Sequence, residues 1–174
     1  EKLGPGCFSV PDQIIDYTCN RASTFFEDDL EFVTHIDFTY PYNETLRLAL
    51  LQASGEVIER FNASEGNGEG TNIETTNGKS TADAITVLSQ GTYACSQGPR
   101  LETAAEIRRF AQDGCAMVGM TGMPEAALAR ELEINYAALA LSVNWGAGLT
   151  EDLITMEEIL AVIEQGMERI QACL

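Results

Sequence analysis

Three short segments carry the side chains best suited to chemistry in this 174-residue chain. In Gln97-Gly98-Pro99-Arg100-Leu101-Glu102-Thr103 a Gly-Pro turn sets a carboxylate beside a helix start. Glu102 either favours the positive end of that helix dipole or accepts a hydrogen bond from a ligand. In Gly119-Met120-Thr121-Gly122-Met123-Pro124-Glu125 an apolar strand runs through a Thr hydroxyl into a helix N-terminus. Unpaired N–H groups and the dipole there favour an anion such as phosphate, and Thr121 is either the helix cap or an added donor. In Ser142-Val143-Asn144-Trp145-Gly146 an Asn closes an apolar strand. Its carboxamide offers donor and acceptor side by side, which matches a heterocycle edge, while Asn also ends strands for turn reasons.

Positioning three such segments requires strand ends gathered on one side of a sheet. The pattern predicts strands at 92–96, 115–120 and 136–144, and helices at 103–113, closed by Gly114, and 124–133, with Pro124 in its first turn. Thr155-Met156-Glu157-Glu158 reads as a capping box opening a last helix through about Ala172, with an apolar stripe of Ile159, Leu160, Ile163, Met167 and Ile170. Upstream, 7–10 and 13–17 read as short strands broken by Pro11-Asp12, and 31–40 as a partly alternating strand. From Asn43, an N-cap, the apolar positions Leu46, Leu50, Leu51, Val57, Ile58 and Phe61 predict a helix interrupted or kinked near Ser54-Gly55. Residues 62–80 hold one aliphatic side chain, Ile73, and four glycines, and so read as an exposed, flexible insertion. Strands alternating with helices of this length give an α/β fold with a largely buried sheet, whose ligands gather at strand ends.

Charge narrows the partners. Ten basic against 27 acidic side chains leave a formal −17, spread along the chain, with no Lys/Arg cluster for phosphate backbones or anionic headgroups. Nucleic acid and membrane are therefore not expected partners. The five cysteines form no C-x-x-C pair, no stretch approaches 18 apolar residues, and no basic-then-apolar leader opens the chain. Reduced thiols and a cytoplasmic setting are expected.

Residues 97–148 resemble the trimeric purine nucleoside phosphorylase and methylthioadenosine phosphorylase family. The likeness rests on Gly98-Pro99 with Thr103 and Glu106, on the Gly119-Met120-Thr121 and Pro124-Glu125 segment, and on the strand ending in Asn144. It reaches back through Pro11-Asp12-Gln13-Ile14-Ile15-Asp16 and Thr34-His35-Ile36-Asp37 and fails across 62–80. The resemblance implies a single domain over 1–174 with a three-layer fold, a central mixed sheet flanked by helices, lacking the family's N-terminal part. It implies cleavage of an N-glycosidic bond by inorganic phosphate as co-substrate, without metal or organic cofactor, in a homotrimer. Thr121 would bind phosphate, Met120 would lie on the ribose and Leu101 on the base, with Asn144 and Thr121 as the catalytic pair. His35, from a neighbouring subunit, would surround the 5′ substituent with Met156, Ile159 and Leu160. The family's remaining phosphate ligands are expected upstream of the region matching Glu1.

Base choice follows from donor and acceptor patterns. A 6-oxopurine shows O6 as acceptor and N1–H as donor, and adenine shows the reverse. Asn144 can donate to O6, and an ionised Glu102 can accept from N1–H but would face a lone pair on adenine N1. The adenine-cleaving members resembled here have Asp in place of Asn144, an acidic residue in place of Gly146 and no Glu at position 102. The expected substrate is a 6-oxopurine nucleoside, foremost 5′-methylthioinosine, giving hypoxanthine and methylthioribose 1-phosphate. Inosine, guanosine or methylthioadenosine phosphorolysis, hydrolysis by water, and an inactive purine-binding fragment are the alternatives.

Overall fold

The structure is a computed structural model that describes residues 3–27, 32–65 and 85–174. Its elements run β1 (Phe8–Ser9), β2 (Gln13–Asp16), α1 (Glu44–Glu65), β3 (Val87–Leu88), β4 (Thr92–Cys95), α2 (Ala104–Gln112), β5 (Cys115–Gly119), α3 (Gly122–Glu131), β6 (Ala140–Leu141) and α4 (Met156–Cys173). Two three-stranded sheets form, in the orders β3-β1-β6 and β2-β4-β5. The second is parallel throughout, and in the first β1 runs parallel to β3 and antiparallel to β6.

The two sheets are successive stretches of the same paired chain segments. Residues 8–16 lie beside 87–95, and pairing lapses at Pro11, which has no N–H to give. The lapse leaves two backbone carbonyls unpaired, one on the buried Val10 and one on the exposed Ser89, and one side chain takes them up. Arg47, 7% exposed, donates from Nη1 to the Val10 carbonyl at 2.9 Å and to the Ser89 carbonyl at 2.8 Å, while its Nε meets Glu44.

Helices cover both faces of the parallel sheet because β4 alternates. Tyr93 and Cys95 point to the α3 side, with Met123 and Ala126, whereas Ala94 points to the α2 side, with Ile107 and Phe110. Helices α1 and α4 close the other sheet through Phe8, Val57, Ile58 and Cys173. The result is three layers, helix, mixed sheet and helix.

The 92–148 half follows the sequence reading with shortened ends. Thr103 caps α2 in a full capping box with Glu106, and Thr155 caps α4 by accepting from the Glu158 amide. The strand at 136–144 contracts to β6, extended on either side of Cys7 by the Gly6 N–H to Ser142 carbonyl and Ser142 N–H to Cys7 carbonyl bonds. Strand β3, only two residues long, is too short to leave an alternating pattern in the sequence.

Three expectations are corrected. The described part of the 31–40 segment, residues 32–40, contains no strand. Asp37 accepts there from both the amide and the hydroxyl of Thr39, a local turn that competes with a ladder, and Arg130 binds the Asp37 and Tyr40 carbonyls. Helix α1 is unbroken at Ser54-Gly55. Asn43 caps it through the Leu46 amide, and the buried Ser54 hydroxyl is satisfied by the Leu50 carbonyl at 2.7 Å. A mid-helix Gly costs only about 1 kcal/mol, less than burying the neighbouring Val57 and Ile58 returns. The first residues of the expected 62–80 insertion, 62–65, belong to α1; the rest of it lies outside the described residues. Among the described residues no helix is long and apolar enough to cross a membrane.

Candidate active site

The first strand end, after β4, begins at the buried Ser96. Its N–H donates to the Gly119 carbonyl at 2.8 Å, tying this end to that of β5, and its hydroxyl donates to Glu102 Oε1 at 2.5 Å. Glu102 is thus half-buried and oriented by a neighbouring donor, and is not merely a solvated charge at a helix start. Gly98 takes a φ of 64° to turn the chain, and a Cβ there would come within 2.6 Å of the Met120 sulfur, so the first turn lies directly on the second. Leu101 is 40% exposed beside it. Arg100 pairs with both carboxylate oxygens of Glu106 at 2.8 Å, so its guanidinium is taken by the capping box. That side-chain pairing first, then the Thr103 amide and hydroxyl, holds the Glu106 carboxyl down at about 2.

The second strand end differs from its sequence reading in one respect. Thr121 precedes the helix in an αR conformation with no side-chain capping bond, which removes the cap alternative and leaves its exposed side chain to meet the Tyr93 hydroxyl. Met123 is extended, with φ −123° and ψ 139°, so the regular part of α3 starts one residue later and its free N–H groups do not follow Thr121 directly. Gly119 is required by close approach: a Cβ there would sit 2.0 Å from the Tyr93 hydroxyl oxygen. That hydroxyl faces the Thr121 side chain and the Thr121 and Gly122 amides, and burial pushes the phenol pKa up.

At the third strand end Gly146 packs over Ile107 and Gly148 against Ala104, which brings the loop after Asn144 onto the first turns of α2. Asn144 is half-buried, and its Nδ2 donates to the Trp145 carbonyl at 2.7 Å. One amide N–H and the carboxamide oxygen remain to meet a ligand.

The remaining candidates divide. Met156 and Leu160, one helical turn apart at the start of α4, are 63% and 58% exposed, whereas Ile159 is 7% exposed and turns into the core. The three are therefore not one lining. His35 is exposed in the 32–40 loop, which Arg130 fastens to the C-terminal end of α3, the end away from Thr121.

Sequence reasoning missed Arg21. Its two terminal nitrogens donate to four backbone carbonyls, Ser96 at 3.2 Å and Gln97 at 2.8 Å after β4, and Met120 at 2.8 Å and Met123 after β5. The one hint in the sequence is an isolated cation in an acidic chain, just past β2.

The chain as a whole is similar to known proteins. The profile of the Phosphorylase superfamily matches residues 1–174. A probable S-methyl-5′-thioinosine phosphorylase of Pseudomonas syringae pv. tomato is 48% identical over 172 residues, which is 99% of this chain and 59% of the relative. A probable 6-oxopurine nucleoside phosphorylase of Thermococcus kodakarensis is 38% identical over 177 residues, covering 57% of its length. Among solved structures, methylthioadenosine phosphorylase from Schistosoma mansoni in complex with adenine superimposes with a TM-score of 0.79 at 26% identity, over 99% of this chain and 58% of that one. The chain thus spans less than two-thirds of the length of the relatives it matches. With profile, sequence and fold in agreement, the chain belongs to the Phosphorylase superfamily.

Proposed function

We propose that the protein cleaves 6-oxopurine nucleosides with inorganic phosphate, 5′-methylthioinosine foremost. Phosphate attacks C1′ of the ribose as the C1′–N9 bond breaks, and the electron pair passes into the purine, which takes at N7, by way of solvent, the proton that the hydrogen phosphate gives up. The products are hypoxanthine and methylthioribose 1-phosphate. The observation that carries the reading is Glu102, held by Ser96 two residues before the first turn of α2, onto which the loop after Asn144 packs through Gly148 and Ala104. Ionised Glu102 accepts from N1–H, the free Asn144 N–H donates to O6, and the carboxamide oxygen stabilises N7–H as the base departs. Names of relatives that specify methylthioinosine and 6-oxopurine nucleosides support the same base class.

Thr121 supplies a phosphate donor, Met120 lies against the ribose and Leu101 against the base. Met156 and Leu160 receive the 5′-methylthio group as an exposed apolar pair, backed by Ile159, and leave no buried hydroxyl to satisfy. The working form is a homotrimer in the cytoplasm, with His35 reaching a neighbouring site. Phe32, Val33 and Tyr40, 79%, 76% and 72% exposed around His35, support burial of that loop between subunits. Residues 1–174 act as part of one nucleoside phosphorylase domain, without metal or organic cofactor.

The test is release of hypoxanthine from 5′-methylthioinosine with and without phosphate. Turnover that requires phosphate, with methylthioribose 1-phosphate as co-product, supports the reading. Equal turnover in phosphate-free buffer, giving free methylthioribose, would make the protein a hydrolase and overturn it.

A further inference from the structure

Arg21 joins the two turns that the proposed reaction needs at a fixed separation. The β4 turn carries Glu102, and the β5 turn carries Thr121. A guanidinium is planar and presents its N–H groups in a rigid fork, and here both terminal nitrogens are spent on the Ser96, Gln97, Met120 and Met123 carbonyls. The side chain is itself braced. The loop that carries it is fastened on one side by the Cys19 N–H to Gln97 Oε1 at 3.0 Å, and on the other by Glu131, which accepts from Thr24 Oγ1 at 2.6 Å and the Phe25 amide at 2.7 Å. In a planar peptide the C=O and N–H point in opposite directions, so holding the Met120 carbonyl on the Arg21 side turns the Thr121 N–H the other way, to the side where the Tyr93 hydroxyl lies. The turn that presents Thr121 is gripped from both sides.

We propose that Arg21 is a positioning residue that sets the distance between the purine-binding turn after β4 and the phosphate-binding turn after β5. It touches neither reactant. The inference rests on the phosphorolysis reading above and adds a part to it: Arg21 governs the step in which both reactants must be aligned, and not the binding of either one.

The distinguishing signature is a split between binding and turnover. In Arg21→Lys, whose single nitrogen cannot span both turns, kcat is expected to fall roughly 100-fold, as for a displacement near 1 Å, while the dissociation constants of inorganic phosphate alone and hypoxanthine alone stay within about threefold. Millimolar guanidinium is expected to restore turnover to Arg21→Ala, and sodium chloride at equal ionic strength is not. An unchanged kcat, or a loss of either ligand's binding in proportion to kcat, overturns the proposal. Hydrogen exchange separates this outcome from failure of the phosphorylase reading. Should the parent protein show no phosphate-dependent turnover, that reading falls, and exchange alone judges the clamp. Faster exchange in Arg21→Lys confined to 96–99 and 120–124 supports it, and parent-like exchange there overturns it.

Discussion

The Ser96 hydroxyl donates to one oxygen of the Glu102 carboxylate at 2.5 Å, from a buried position at the end of β4. A carboxylate accepts on both oxygens, so this bond fixes the group's direction and leaves the other oxygen for a ligand N–H. A hydrogen bond to a charged group contributes roughly 1.5–3 kcal/mol, so Ser96→Ala is expected to lower kcat/KM for a 6-oxopurine nucleoside by about tenfold or more. Glu102→Gln keeps the shape and supplies an N–H that adenine N1 can accept. Steady-state kinetics on methylthioinosine and methylthioadenosine should show the gap between them narrowing in Glu102→Gln and not in Ser96→Ala.

Tyr93 and Gly119 fit each other too closely for any Cβ at position 119. Gly119→Ala is expected to displace the phenol and destabilise the fold by about 1–3 kcal/mol, measured by denaturant unfolding. Tyr93→Phe keeps the packing and removes the hydroxyl facing Thr121. Its expected effect is a rise of about fivefold in the KM for phosphate, the equivalent of one ~1 kcal/mol hydrogen bond, with the nucleoside KM unmoved.

Arg47 holds the two carbonyls left open where strand pairing lapses at Pro11. Arg47→Met preserves much of the buried stem and orphans both acceptors. The expected loss is about 1–3 kcal/mol of unfolding free energy, the cost of leaving the carbonyl of the buried Val10 unsatisfied, while that of the exposed Ser89 can turn to water. Thermal or urea unfolding of the two proteins side by side checks it.

Glu106 gives α2 a pH dependence of definite sign. Its carboxyl sits at about 2 in the folded protein against an ordinary value of 4.5, because Arg100 and the Thr103 amide and hydroxyl favour the charged form. A depressed folded pKa means that the stabilisation is fully present above pH 4.5 and is lost as pH falls through about 2. The difference in melting temperature between the parent protein and Glu106→Gln should therefore be constant above pH 4.5 and close on acidification.

Legibility in the sequence followed the kind of signal each feature leaves. The β4-α2-β5-α3 succession could be read because Thr103, Gly114 and Pro124 punctuate apolar runs, and the three chemistry-bearing segments sit where those runs end. The strand expected at 31–40 failed at Asp37, whose side chain builds a turn with Thr39 that alternation of apolar residues does not register. Ile159 shared a stripe with Leu160 in the sequence, yet neighbouring positions on a helix point about 100° apart, and only Ile159 faces the core. Arg21 was invisible for a different reason. Its partners are main-chain carbonyls 75 to 102 residues away, and a backbone acceptor has no residue type to announce it.

The central claim is that Glu102 and Asn144 select a 6-oxopurine. The direct measurement is kcat/KM for 5′-methylthioinosine and for 5′-methylthioadenosine on one preparation at saturating phosphate. A pocket built to pair N1–H and O6 leaves its polar groups unpaired against adenine, so a preference for methylthioinosine of about 100-fold or more is expected. Equal or faster turnover of methylthioadenosine would contradict the account.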